Sequence, residues 1–180
     1  MNALEAIEKL KKGNEIYLKS EICGGDISPA IRQQTYINGQ HPYAIVVTCS
    51  DSRVIPESIF SAGIGELFVI RAAGNVIDNV QLGSIEYAAE HLGCPLVLVL
   101  GHSRCGAVDA AINGAPSGFI KFITDEIRIA VGVEKDDIKA CCMNVNNSVN
   151  RIKNSLSIDG LNVVGAIYHI DSGKVEFLDD

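Results

Sequence analysis

Apolar residues in this chain come in short blocks that switch between a helical spacing and uninterrupted β-branched runs. Leu4, Ile7 and Leu10, with Ile16-Tyr17-Leu18 after them, follow a helical period that is expected to break near Gly13. Ser28-Pro29 reads as a helix start, because Ser can cap and Pro suits the first helical position. Asn38-Gly39 is the matching stop. Tyr43–Thr48 is a continuous apolar run and predicts a buried strand. The pattern then recurs: a strand over Glu66–Ile70, a helix over Asn79–Leu92 stopped by Gly93, and a buried strand over Pro95–Leu100. Helical spacing follows over Cys105–Ile112, Phe119–Val131 and Asp136–Lys153. The chain closes with a strand over Leu161–Ile170, a turn at Asp171-Ser-Gly173 and a strand over Lys174–Leu178, which together read as a hairpin.

Strands alternating with helices predict an α/β fold: a mostly parallel β-sheet flanked by helices, with an antiparallel C-terminal edge strand from the hairpin. With no internal repeat or linker, residues 1–180 are expected to form a single domain. Sheets of this kind bind ligands at the carboxyl ends of their strands, near a topological switch point. Cys49 and His102 both fall at such ends.

Composition narrows the chemistry. A chain of 180 residues, 47% hydrophobic and 21% charged, can build a substantial core. Its formal net charge of −7, with no basic face to offset it, argues against a nucleic-acid partner. The N-terminus mixes acids and bases and lacks the apolar run of a signal peptide. Tyr43–Val47 and Pro95–Leu100 are too short to span a bilayer, so no membrane association is expected and a cytoplasmic location is the default. In that compartment the six cysteines read as reduced thiols or metal ligands. Cys23, Cys94, Cys141 and Cys142 are expected to be small buried apolar residues.

Two motifs stand out. Cys49-Ser-Asp51-Ser-Arg53 follows the first strand, and His102-Ser-Arg-Cys105 follows the third. Two thiolates and an imidazole form the ligand set of an open zinc site, whose fourth tetrahedral position is left for water. Asp51 and Arg53 alternate after Cys49, so all three are expected on one side of an extended segment. A purely structural zinc would want a fourth protein ligand, and Cys94 lies at the wrong end of its strand to supply it. Two thiolates already neutralise a zinc dication. The bound water should therefore ionise less readily than the value of about 7 reached at three neutral imidazoles. Activity is expected to rise above neutral pH. Asp51 is also near enough to reach zinc itself in a closed state, while Arg53 competes for the same carboxylate in an open one.

With these residues in place, the chain resembles the β-class carbonic anhydrases. The resemblance runs through CSDSRVIPE at 49–57, GELFVIRAAGN at 65–75, LGSIEYAAEHLG at 82–93, GHSRCGAV at 101–108 and the closing NVVGAIYHIDSGKVEFL at 162–178. It implies a zinc enzyme, with one zinc per subunit, that hydrates carbon dioxide reversibly to bicarbonate and a proton by attack of zinc-bound hydroxide. Cys49, His102 and Cys105 match the family's zinc ligands, and Asp51 and Arg53 its catalytic dyad. Gln40 matches a glutamine that hydrogen-bonds substrate across the dimer interface in the plant-type branch. Phe68 and Tyr87 match the residues lining that pocket, although their spacing alone reads as core. The resemblance also implies homodimers that often pair into tetramers. A chain without Trp cannot build the Trp-dependent allosteric bicarbonate pocket of one branch in the same form. Ala72 stands where many relatives carry Asn.

Other readings compete. The same zinc ligands serve hydrolases of carbonyl sulfide or carbon disulfide, and a zinc-stabilised bicarbonate sensor would have lost turnover. Cys49 and Arg53 are too close for a thiol-phosphatase loop, Gly63-Ile-Gly65 leads into a strand and not a helix, and no Cys-x-x-Cys occurs. His41 is the nearest histidine to Gln40 and reads mainly as a solvated residue.

Overall fold

Two strands with every residue buried form the centre of the molecule, β1 (Ala44–Thr48) and β3 (Leu96–His102). Their runs are uninterruptedly apolar because helices cover both faces of the sheet. In the computed structural model, which describes residues 1–20, 22 and 24–178, five strands take the order β2-β1-β3-β4-β5. Here β2 is Leu67–Arg71, β4 is Asn162–Tyr168 and β5 is Val175–Phe177. The first four are parallel, and β5 returns antiparallel on β4, as the hairpin pattern predicts.

The helices are α1 (Ala3–Tyr17), α2 (Pro29–Asn38), α3 (Pro56–Ile59), α4 (Asn79–His91), α5 (Gly106–Asn113), α6 (Ile120–Val131) and α7 (Asp137–Ser155). Residues alternate across the sheet with the period of the pleat. Ile45, Val47, Val97 and Val99 face α4 to α7, packing with Ile85, Val108, Ile127 and Val145. Ala44, Val46, Leu96, Leu98 and Leu100 face α1 and α3, packing with Ala6, Leu10 and Ile59. Cys94 and Cys141 are buried as expected and Cys142 is half-buried, whereas Cys23 lies outside the described residues. Among the described residues, no helix is long and apolar enough to cross a membrane.

Most predicted boundaries differ from the observed ones by one or two residues. At the carboxyl end of β3 the strand continues two residues past Leu100, so His102 is its last residue and not the start of a loop. The short helix α3 was not anticipated. The expected break near Gly13 is absent, because α1 runs unbroken to Tyr17. Gly13 is there for another reason: a Cβ would stand 1.9 Å from the Phe60 carbonyl oxygen, so only glycine lets α1 close on the segment after α3. The neighbouring Asn14 ties that contact to the hairpin, donating to the Ile59 and Gly173 carbonyls and accepting from the Val175 N–H. Helix α2 starts on a Ser28 cap and ends at Gly39, as read, but buries none of its residues.

Gly13→Ala is therefore expected to destabilise the fold by about 1–3 kcal/mol through overpacking, despite alanine's better helix propensity. Urea unfolding measures this, and an unchanged midpoint would refute the close-approach explanation.

Candidate metal centre

Register determines where the site forms. Thr48 pairs with Leu100, and the Thr48 hydroxyl donates to the Leu100 carbonyl at 2.8 Å. Cys49, one residue beyond, thus stands beside the end of β3, where His102 closes the strand. The chain leaves β1 for β2 on one side and β3 for β4 on the other, so this is the switch point of the sheet. Cys105 follows at the N-cap of α5. The ligand atoms of Cys49, His102 and Cys105 all lie within 4.8 Å of one another, and all three residues are buried.

The protonation pattern of His102 suits a metal. Nδ1 lies 2.9 Å from the Ser103 carbonyl oxygen, which can only accept, so Nδ1 carries the proton and Nε2 presents a lone pair. Nε2 is buried with no hydrogen-bond partner. An orphaned lone pair is costly unless something coordinates it. The sulfurs also crowd each other. The Cys105 thiol and the Gly74 N–H at 3.3 Å favour the Cys49 thiolate and lower its pKa, while the Cys49 thiolate and burial raise that of Cys105. A bound dication would favour the thiolate form of both sulfurs. The residues present therefore fit a zinc-type ion.

Asp51 and Arg53 meet differently from the extended arrangement expected. The chain turns at once: the Val54 N–H donates to the Asp51 carbonyl, and the Arg53 N–H donates to Asp51 Oδ1 at 2.9 Å. This Asx-type turn brings the side chains together where strand alternation would only have aligned them. Arg53 then donates from Nε to Oδ1 at 2.9 Å and from Nη2 to Oδ2 at 2.7 Å, a bidentate pair. Hydrogen bonding to Arg53 holds the Asp51 carboxyl well below the usual carboxylate range. Oδ2 lies 3.9 Å from His102 Nε2, so the carboxylate faces the ligand cluster while staying on Arg53.

Arg71, at the carboxyl end of β2, is a functional position that sequence reading passed over. It donates from Nε to the Cys49 carbonyl at 3.2 Å and from Nη2 to the Asp51 carbonyl at 2.7 Å, fixing the backbone that carries both side chains. An arginine directly ending an apolar strand beside the motif was the available signal. Gly74 was passed over too. Its φ of +66° and the 2.8 Å that a Cβ would leave to Ile127 Cδ1 require glycine, and its N–H reaches Cys49.

The remaining candidates lie elsewhere in the chain. Phe68 is opposite Ile45 in mid-strand, well back from the carboxyl ends. It meets Tyr87 of α4 at a ring-centroid distance of 6.3 Å, and Tyr87 is 48% exposed. Gln40 is exposed between α2 and β1, and its side chain makes no hydrogen bond among the described residues. One chain thus brings together Cys49, Asp51, Arg53, His102 and Cys105 in one group and Phe68 with Tyr87 in another. His41 is exposed.

Fold and donor set define a class: an α/β protein with a Cys-His-Cys cluster that could hold a metal ion at the carboxyl edge of its sheet. Comparison with known proteins gives the class a family. Residues 44–175 match the family described as "Carbonic anhydrase". A carbonic anhydrase of Mycolicibacterium smegmatis is 35% identical over 97% of this chain and 93% of its own length. Carbonic anhydrase 2 of Mycobacterium tuberculosis is 33% identical over 99% and 94%. Among solved structures, a Coccomyxa β-carbonic anhydrase in complex with acetazolamide superposes with a TM-score of 0.71 at 27% identity, covering 83% of this chain and 79% of that one. A tetrameric β-carbonic anhydrase of Sordaria macrospora, at 24% identity and a TM-score of 0.72, shares the fold over 84% of this chain and 89% of that one. The chain belongs to the β-class carbonic anhydrases.

Replacing Cys49 or Cys105 with Ala is expected to abolish stoichiometric metal retention, as read by plasma emission on purified protein. Stoichiometric metal in Cys105→Ala would reject a single ion shared by the three residues.

Proposed function

We propose that this protein hydrates carbon dioxide reversibly to bicarbonate and a proton, with one zinc per chain held by Cys49, His102 and Cys105. The observation that carries this reading is the buried, partnerless His102 Nε2, converging with two cysteine sulfurs beside an arginine-fixed carboxylate. A zinc ion bound there supplies Lewis acidity that lowers the pKa of water and makes a nucleophile available near neutral pH.

The chain's own residues do the rest. Asp51 is ionised throughout the working pH range, because Arg53 holds its pKa down. It therefore acts as an acceptor that orients a donor at its free lone pairs, and is poorly suited to storing the released proton. Arg53 keeps the carboxylate off the ligand cluster; the closed state with Asp51 on zinc would require breaking both bidentate bonds. Arg71 restrains the intervening backbone.

Gln40, Phe68 and Tyr87 are assigned to substrate binding in a homodimer, with pairs of dimers forming tetramers. In one chain the Phe68–Tyr87 pair stands apart from the ligand cluster, which suits a wall that serves a neighbouring subunit's site. Helix α2 supports the same assembly: it buries nothing, and Tyr36 and Ile37 are 85% and 67% exposed. A single domain over residues 1–180 and a cytoplasmic location complete the proposal, the latter supported by the free thiols of the described cysteines. Hydrolysis of carbonyl sulfide or carbon disulfide, or bicarbonate sensing without turnover, is less favoured. The relatives are named carbonic anhydrases, and both Asp51 and Arg53 are present.

Stopped-flow hydration of carbon dioxide by zinc-verified protein should be rapid and rise from neutral to alkaline pH, because the two thiolates cancel the charge of the ion. No hydration by a folded, zinc-replete sample would overturn the assignment. Asp51→Asn should keep its zinc and lose about 100-fold or more in turnover. Gln40→Ala should lower turnover with metal content unchanged, and a silent substitution would remove Gln40 from the site.

A further inference from the structure

We propose that Asp137, at the start of α7, is a positioning residue for the Asp51–Arg53 pair and acts through the backbone of Arg104. The inference rests on the function proposed above. Arg104 lies between His102 and Cys105 with a φ of +56°, a left-handed conformation that disfavours residues other than glycine. Something must hold it there. Its N–H donates to Asp137 Oδ2 at 3.0 Å, and its carbonyl accepts from Arg53 Nη2 at 3.2 Å. The same Nη2 donates to Asp51 Oδ2 at 2.7 Å. Three hydrogen bonds in series thus run from α7 to the carboxylate that faces the ligand cluster.

Arg53 needs this support. Its side chain is 49% exposed, and among the described residues its side-chain hydrogen bonds go only to Asp51 and the Arg104 carbonyl. If residue 104 relaxes toward negative φ, its carbonyl turns away and two side chains on an exposed turn hold only each other.

Asp137 is not occupied with capping its own helix. The N-cap of α7 is Asp136, whose carboxylate accepts from the Lys139 N–H at 2.9 Å. Losing the Asp137 side chain therefore leaves the helix start intact. Helix α7 also braces the opposite side of the centre. Asn144 donates to the Gly74 carbonyl and Ser148 to the Asn75 carbonyl, next to the Gly74 N–H that reaches Cys49. One rigid element is the reference for both backbone segments that flank the cluster, the arrangement by which a fold holds a site to tight tolerances.

Asp137→Asn keeps an acceptor oxygen and removes the charge, whereas Asp137→Ala removes both. If Ala proves unstable, Asp137→Ser keeps a polar helix start but is too short to reach the Arg104 N–H. All variants are loaded with zinc for kinetics and with cobalt(II) for d–d spectra. Asp137→Ala, or Ser in its place, is expected to lose about tenfold in kcat with KM little changed, the size of one oriented hydrogen bond. Its cobalt bands should shift, and its metal should pass to a chelator several-fold faster. Asp137→Asn should restore all three readouts. Wild-type kinetics and spectrum in the Ala or Ser variant would overturn the proposal, as would an Asn variant as impaired as Ala. An inactive wild type would sink the carbonic anhydrase reading, and the cobalt spectra would then decide the positioning role alone.

Discussion

The parallel pairing of β1 with β3 is the constraint on which the rest of this structure depends. The two strands have every residue buried, and a side-chain hydrogen bond at their carboxyl ends locks the register. A slip of one residue would exchange residues between two differently packed faces and break the Thr48–Leu100 hydrogen bond. Core packing therefore sets the spacing between Cys49 and His102. Cys49 follows β1 directly, His102 ends β3, and Cys105 is added at the N-cap of the next helix. The Cys-His-Cys cluster inherits its geometry from hydrophobic burial.

Around that frame, the chain manages charge mainly with backbone groups. Two sulfurs, an imidazole and a carboxylate crowd into a buried corner, and the groups that steady them are largely arginine N–H donors and main-chain N–H donors and C=O acceptors. Gly74 supports a thiol, Ser103 sets the imidazole tautomer, and Arg53 and Arg71 hold the Asp51 turn from two sides. Such groups are fixed before anything binds, so little reorganisation is needed when an ion arrives. Left-handed residues at Gly74, Asn75 and Arg104 mark where the backbone bends to aim these groups. Strain collects around the site, as it does where function dictates conformation.

Much of this was legible in the sequence because it depends on local pattern. Uninterrupted runs such as Tyr43–Thr48 reveal strands covered on both faces, and the cysteine, histidine and Asp–Arg motifs permit few chemistries. What escaped depends on partners distant in sequence. Gly13 looked like a helix break because its reason for being glycine is the Phe60 carbonyl, which no local window includes. The Asp51–Arg53 pair was anticipated but not its turn, since alternation says nothing about where a chain folds back. Arg71 read as the end of a strand, and its role needs the neighbouring strand beside it. Phe68 and Tyr87 read as core by spacing and as pocket by resemblance. Phe68 is half-buried against the core from an edge strand, and Tyr87 stands nearly half-exposed on α4.

That His102 terminates the central strand has a consequence for the protein's lifetime. His102 sits in a strand whose every residue is buried, and is not carried on a detachable loop. An ion bound there favours the native state by mass action, in proportion to the logarithm of its free concentration over its dissociation constant. With His102 as a ligand, metal supply and resistance to proteolysis would be coupled through one buried imidazole. A chain without such an ion would keep a desolvated nitrogen at the carboxyl end of its central strand and would open more often. The abundance of the protein would then follow the availability of the metal, with no separate sensor required.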